Sequence, residues 1–106
     1  MPTIPLEEFQ RIELRTCRVV AAERLTQKLL KLEVDLGDER RTIVAGGGEY
    51  YEPSWFVGKT FIIVANLQSK RIRGVLSQGM LLAADVGGKP IWLTTFEEVP
   101  PGTRVY

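Results

Sequence analysis

Lys70, Arg71 and Arg73 stand close together in the stretch Asn66 to Met80, which holds no acid, in a chain whose formal net charge is only +1. The acid-free window is wider still. No Asp or Glu occurs between Glu52 and Asp85, where Lys59 joins the other three cations. The remaining chain carries ten Lys and Arg against thirteen Asp and Glu, so charge is segregated although the total conceals it. Cations without local acids attract polyanions: they neutralise phosphates and release counterions, which gives salt-sensitive, sequence-independent binding. Gly74 relieves crowding beside them, and Asn66, Ser77 and Gln78 supply directional donors and acceptors. A solvated turn that happens to be basic is the competing reading of the charge alone.

Other chemistry is poorly provided for. The chain has no histidine and one cysteine, Cys17. A Cys/His zinc cluster and a Ser-His or Cys-His nucleophile pair are therefore excluded. The carboxylate pairs Glu7-Glu8, Asp38-Glu39 and Glu97-Glu98 fall at expected turns or element ends, where solvated surface is their expected role. The expectation is a protein that is not an enzyme and needs no metal or cofactor. The run Gly46-Gly47-Gly48-Glu49 lacks the Lys-Ser/Thr of a P-loop and the spacing of a dinucleotide fingerprint, and Glu49 would repel a phosphate. A strand-to-helix turn is the simpler reading. Aromatic platforms for single strands are scarce: Tyr50, Tyr51, Trp55, Phe56 and Trp92 show no alternate spacing on one strand. Structured RNA, recognised through backbone contour and 2′-hydroxyls, fits this composition better.

The elements that must position these residues are short and extended. Thr3 is a candidate cap for a helical turn over Pro5 to Phe9. Ile12 to Arg24 is a long strand whose alternation slips near Thr16-Cys17, which predicts a β-bulge there. Lys28 to Leu36 alternates with Leu30, Leu32, Val34 and Leu36 inward, and Gly37-Asp38-Glu39 turns it into a strand ending at Ala45. A helix is expected around Glu49 to Phe56, then a strand from Lys59 to Asn66 whose unbroken hydrophobicity predicts burial on both faces. Gln68 to Gly74 reads as a basic connection, Met80 to Ala84 as the fifth strand, Ile91 to Thr95 as a return, and Val105-Tyr106 as a short edge. Five short strands with a helix between the third and fourth predict an all-β, five-stranded Greek-key barrel of the OB type with short helices; an SH3-like barrel is the alternative. In an OB barrel the connection between the fourth and fifth strands flanks the usual nucleic-acid face.

At 106 residues, 44% of them apolar and 25% charged, the sequence suits a single domain over 1–106 with its own core. No apolar run approaches the length of a membrane span. The opening MPTIPLEEF has no basic n-region followed by an apolar stretch, and a lone cysteine suits a reducing compartment, so a cytoplasmic location is expected.

Several segments in order carry a family resemblance: Phe9 with Ile12-Glu13-Leu14-Arg15, Lys28-Leu29-Leu30-Lys31-Leu32 through Gly37, Arg41-Thr42-Ile43-Val44, Val57-Gly58-Lys59, Ala65-Asn66-Leu67, and Gly74 to Ala84 with Ser77-Gln78-Gly79-Met80. The chain resembles the stand-alone tRNA-binding domain of the OB fold, also found at the C-terminus of methionyl-tRNA synthetases and in endothelial-monocyte-activating-polypeptide-like proteins. Cys17 stands where many relatives carry Gly, and Gly46 to Glu49 replaces a Gly-Ile-Ala segment. The resemblance implies a homodimer that holds tRNA by shape, alone or as an accessory subunit of methionyl-tRNA synthetase. Its binding residues fall on Asn66, Ser77 and Met80, with Lys31, Lys70, Arg71 and Arg73 as phosphate contacts and Gln78 beside them. A cousin group of secretion-associated chaperones, dimeric and peptide-binding, supplies the alternative function.

Overall fold

A computed structural model describes all 106 residues. Ten short strands and two helical turns follow in the order α1 (Leu6–Gln10), β1 (Leu14–Arg24), β2 (Leu30–Asp35), β3 (Arg40–Ala45), α2 (Pro53–Phe56), β4 (Thr60–Val64), β5 (Lys70–Ile72), β6 (Val75–Ser77), β7 (Met80–Leu81), β8 (Ala83–Val86), β9 (Lys89–Trp92) and β10 (Arg104–Val105). The principal sheet runs β3-β2-β1-β4-β7, with β10 also on β1; β5-β6 and β8-β9 form separate two-stranded ladders. The molecule is thus all-β, as expected, with more strands than the five read from periodicity. No helix is long and apolar enough to cross a membrane.

The alternation in β2 does what its pattern dictates: Leu30, Leu32, Val34 and Leu36 all face the core. They pack with Cys17, Val19, Ile43, Phe56, Phe61, Ile63 and Leu81 in one hydrophobic cluster. In β4, Phe61, Ile62, Ile63 and Val64 are all buried, so both faces of that strand are covered as its composition predicts. The N–H of Gln78 donates to the Thr42 carbonyl at 2.9 Å, which draws the chain between β6 and β7 onto β3 and curls the sheet.

Three local expectations need correction. The bulge lies at Val20, between the pairs Val19–Val34 and Ala21–Glu33, and not at Thr16-Cys17. Thr16 and Cys17 are both buried because each face of β1 is covered there. Cys17 faces the core, whereas the Thr16 hydroxyl donates to the Pro100 carbonyl at 2.9 Å and accepts the Thr103 N–H at 3.0 Å. The tail is seated so closely that a Cβ on Gly102 would fall 2.0 Å from the Leu36 carbonyl oxygen. The second helix covers only Pro53–Phe56, since proline forces the preceding Glu52 to be extended (φ −77°, ψ 147°). Thr3 caps nothing: Pro5 stands at the N-cap of α1, without a side-chain bond.

Candidate nucleic-acid interface

The basic connection is itself a hairpin. Lys70 pairs with Ser77, Arg71 with Leu76 and Ile72 with Val75, and the turn is Arg73-Gly74. Directly opposed residues share a face of the ladder, so Lys70, Ile72, Val75 and Ser77 project to one side and Arg71 and Leu76 to the other. Lys70, Arg71 and Arg73 are exposed, and none has a carboxylate within ion-pairing distance. By contrast, Arg15, Arg18, Arg24, Lys31 and Arg41 are each paired with an acid. No neighbouring carboxylate neutralises the hairpin cations.

What holds the hairpin is the segment that follows it. The Ser77 side chain is buried, its Oγ accepting the Val44 N–H at 3.0 Å and donating to the Gly79 carbonyl at 3.2 Å. Gln78 bonds β3 twice more, through its N–H to Thr42 and through Oε1, which accepts the Thr42 N–H at 3.1 Å. Gly79 then passes over β4 at φ 142°, where a Cβ would lie 2.8 Å from Ile63 Cδ1, so glycine is required. Arg41, which sequence reasoning missed, completes the joint by donating to the carbonyls of Ala65 and Gln78. Nothing in the sequence separated it from the neighbouring cation Arg40.

Asn66 lies at the end of β4 and ties the N-terminal segment down. Its Oδ1 accepts the Glu13 N–H at 2.8 Å and its Nδ2 donates to the Arg11 carbonyl at 2.6 Å. Both ends of the carboxamide are occupied by backbone, beside a cavity of about 360 Å³ that Phe9, Arg15 and Tyr106 help to line. Lys31 projects from β2, half-buried and 3.5 Å from the Glu23 carboxylate. Met80 begins β7 and is 48% exposed, so it is a surface group and no core residue. Leu67 and Leu76 are also exposed apolar side chains of this region.

The fourth cation of the acid-free window does not join the hairpin. Lys59 lies beyond the opposite end of β4, where its ammonium bonds the Trp55 carbonyl and sits 4.5 Å from the centre of the Trp55 ring. The expected single patch of four cations is therefore three cations on one hairpin, Lys70 and Arg71 on its opposite sides and Arg73 at its turn. Around Lys59 the aromatic residues gather instead: Tyr51, Trp55, Phe56, Phe61 and Trp92 stack against one another, and a mostly apolar hollow of about 420 Å³ opens beside them. Cys17 lies in the core below, its thiol pushed up to about 12 by burial, so it has no nucleophilic role at neutral pH.

Known proteins resemble this chain in sequence and fold. Residues 14–104 match the family model described as "Putative tRNA binding domain". A methionine–tRNA ligase of Archaeoglobus fulgidus is 46% identical over 104 residues, which is 96% of this chain and 16% of the ligase. The chain thus spans about a sixth of the length of the curated relatives it matches. The crystal structure of a MetRS related protein from Pyrococcus horikoshii superposes with a TM-score of 0.93 at 42% identity, over the whole of both chains. The chaperone CsaA from Bacillus anthracis superposes at 0.91 with 26% identity, over 99% of this chain and 100% of that one. A match through all the strands of the principal sheet and through the Ser77 to Met80 joint decides the matter: the chain belongs to the tRNA-binding domain family.

Proposed function

We propose that residues 1–106 act as one non-catalytic domain that binds tRNA by its contour, in the cytoplasm, as a homodimer. Lys70, Arg71 and Arg73 contact phosphates. Ser77 and Asn66 act on the ligand indirectly, by fixing the hairpin and the N-terminal segment, because their side-chain polar groups are bonded within the protein, and Gln78 fixes the hairpin through its N–H and Oε1. Lys31 and Met80 flank the contact, Met80 by apolar surface. The fold is of the OB type, with β1, β2, β3, β4 and β7 as the five strands of the barrel. The observation that carries this reading is the unpaired basic hairpin held rigidly on β3 by Ser77 and Gln78.

Dimerisation is supported by apolar surface at the two chain ends. Ile4, Leu6, Phe9 and Ile12 near the start, and Val86, Ile91, Leu93 and Phe96 toward the end, are exposed in the single chain. Apolar side chains left exposed near both chain ends are surface that a second copy can cover. A twofold pair would also present two hairpins to one ligand and raise its avidity. Sedimentation equilibrium at micromolar concentration checks this: a monomer would overturn the dimer. A methionyl-tRNA synthetase is a second partner, as an enzyme whose relatives contain this domain in their own chain.

A gel-shift comparison of unfractionated tRNA, duplex RNA and unstructured RNA at physiological salt tests the ligand. Preference for tRNA is expected, and equal binding to all three would overturn recognition by contour. Peptide binding is the alternative reading, favoured by the aromatic hollow at Tyr51, Trp55 and Trp92 and by the likeness to the chaperone CsaA. Retention of an unfolded polypeptide that survives nuclease treatment and is lost on Trp55→Ala would support it.

A further inference from the structure

Arg73 is the single non-glycine residue with a positive φ, 51°. With Gly74 at φ 80° it forms the two-residue turn between Ile72 and Val75. Two successive positive φ values define the type of hairpin turn in which Asn, Asp and Gly are favoured at the first position. A long side chain there is strained, and nothing in the packing repays it, since Arg73 is exposed and has no ion-pair partner. Strain of this kind gathers where a side chain must be presented to a ligand.

Opposite Arg73, across a shallow groove of about 410 Å³, lies the loop Thr26 to Leu29. That loop is fixed from three sides. Thr26 Oγ1 accepts the N–H groups of Lys28 at 3.2 Å and Leu29 at 3.1 Å. The Gly48 N–H donates to the Lys28 carbonyl at 3.0 Å, and a Cβ on Gly48 would fall 2.9 Å from the Gln27 oxygen. Arg24 donates to the carbonyls of Gln27 and Gly48, at 3.2 and 2.8 Å. The glycine run thus serves to clamp this loop. Lys28 itself remains exposed, with no ion pair, and lines the same groove as Arg73. Two unpaired cations, each on a braced turn, line one depression that contains no acid.

We propose that Lys28 and Arg73 together hold one backbone phosphate of the bound RNA across this groove, a contact separate from those of Lys70 and Arg71; it rests on the tRNA-binding reading above. Two unpaired cations lining one acid-free groove both gain from an anion bound between them, so the groove is an anion subsite.

Filter binding of labelled unfractionated tRNA over a salt series tests this, using the wild type, Lys28→Ala, Lys28→Arg, Arg73→Asn, the double variant Lys28→Ala with Arg73→Asn, and Arg40→Ala. Arg40 is another exposed, unpaired cation, at the far end of β3. Lys28→Ala and Arg73→Asn are each expected to weaken binding about threefold to tenfold near 100 mM salt and to flatten its salt dependence. The double variant should lose less than the product of the two, because a shared phosphate released by one cation is lost to the other. Lys28→Arg, which keeps the charge, should recover most of the affinity lost in Lys28→Ala, and Arg40→Ala should bind as the wild type does. Arg73→Asn should melt at or above the wild-type temperature, since Asn suits the turn. Wild-type affinity in Lys28→Ala, or an equal loss in Arg40→Ala, would overturn the subsite while leaving tRNA binding intact. Failure of the wild type to bind tRNA would instead overturn the reading on which the subsite rests.

Discussion

The Ser77 hydroxyl meets the Val44 N–H at 3.0 Å inside the protein, so the most conspicuous polar residue of the basic stretch is a strut between β6 and β3. Val44 is the penultimate residue of β3, and its N–H, turned away from β2, has no strand partner to fall back on once the hydroxyl is gone.

Ser77→Ala therefore leaves a backbone donor unsatisfied in a part-buried position. The expected loss is about 1–3 kcal/mol in denaturant unfolding. Affinity for tRNA should fall with it, because the hairpin loses its anchor, while the salt slope stays close to wild type since no cation is removed. A variant of unchanged stability and sharply reduced affinity would mean that the hydroxyl contacts the ligand itself.

Asn66→Ala removes both bonds to the Arg11–Glu13 backbone and should cost a similar amount, about 1–3 kcal/mol. The N-terminal segment should become more susceptible to limited proteolysis. Asn66→Asp keeps the acceptor for Glu13 but sets a carboxylate against the Arg11 carbonyl, so it should not restore stability. Equal protease resistance in wild type and Asn66→Ala would show that the clamp is redundant.

Cys17 gives a pH signature. Burial raises its thiol from 9.0 to about 12, with a backbone hydrogen bond at Phe61 acting weakly the other way. The unfolded chain therefore releases this proton at lower pH than the folded one, and stability falls as pH rises from 9.0 toward 12. Below that window the group contributes no pH dependence. Compared with Cys17→Val, the wild type should lose stability progressively above pH 9, and its thiol should resist alkylation until the protein is denatured. Rapid alkylation of the native protein at neutral pH would contradict the burial.

The parts of this molecule that sequence made legible are those governed by local period. Leu30, Leu32, Val34 and Leu36 alternate because one face of β2 meets the core, and the unbroken run in β4 is buried on both sides. The cations of the hairpin were visible as an acid-free window. What escaped was set by partners distant in the chain. Thr16 is buried by Pro100 to Thr103, more than eighty residues away, and that contact imitated a phase slip in β1. Lys59 looked like a fourth member of the basic patch, yet β4 carries it to the opposite end of the strand and onto Trp55. Lys28 and Arg73, forty-five residues apart, line one groove once β6 is held against β3. The helix beginning at Pro53 was legible in principle, since the proline restricts Glu52, but the expected span ran across that stop.

The central claim is that the hairpin cations meet phosphates, and a salt titration of tRNA binding reads this directly. Replacing Lys70, Arg71 and Arg73 together with Ala should reduce the slope of log affinity against log salt by about two to three, with an unchanged unfolding midpoint. A triple variant that binds more weakly but keeps the wild-type slope, or that binds as the wild type does, would contradict the account.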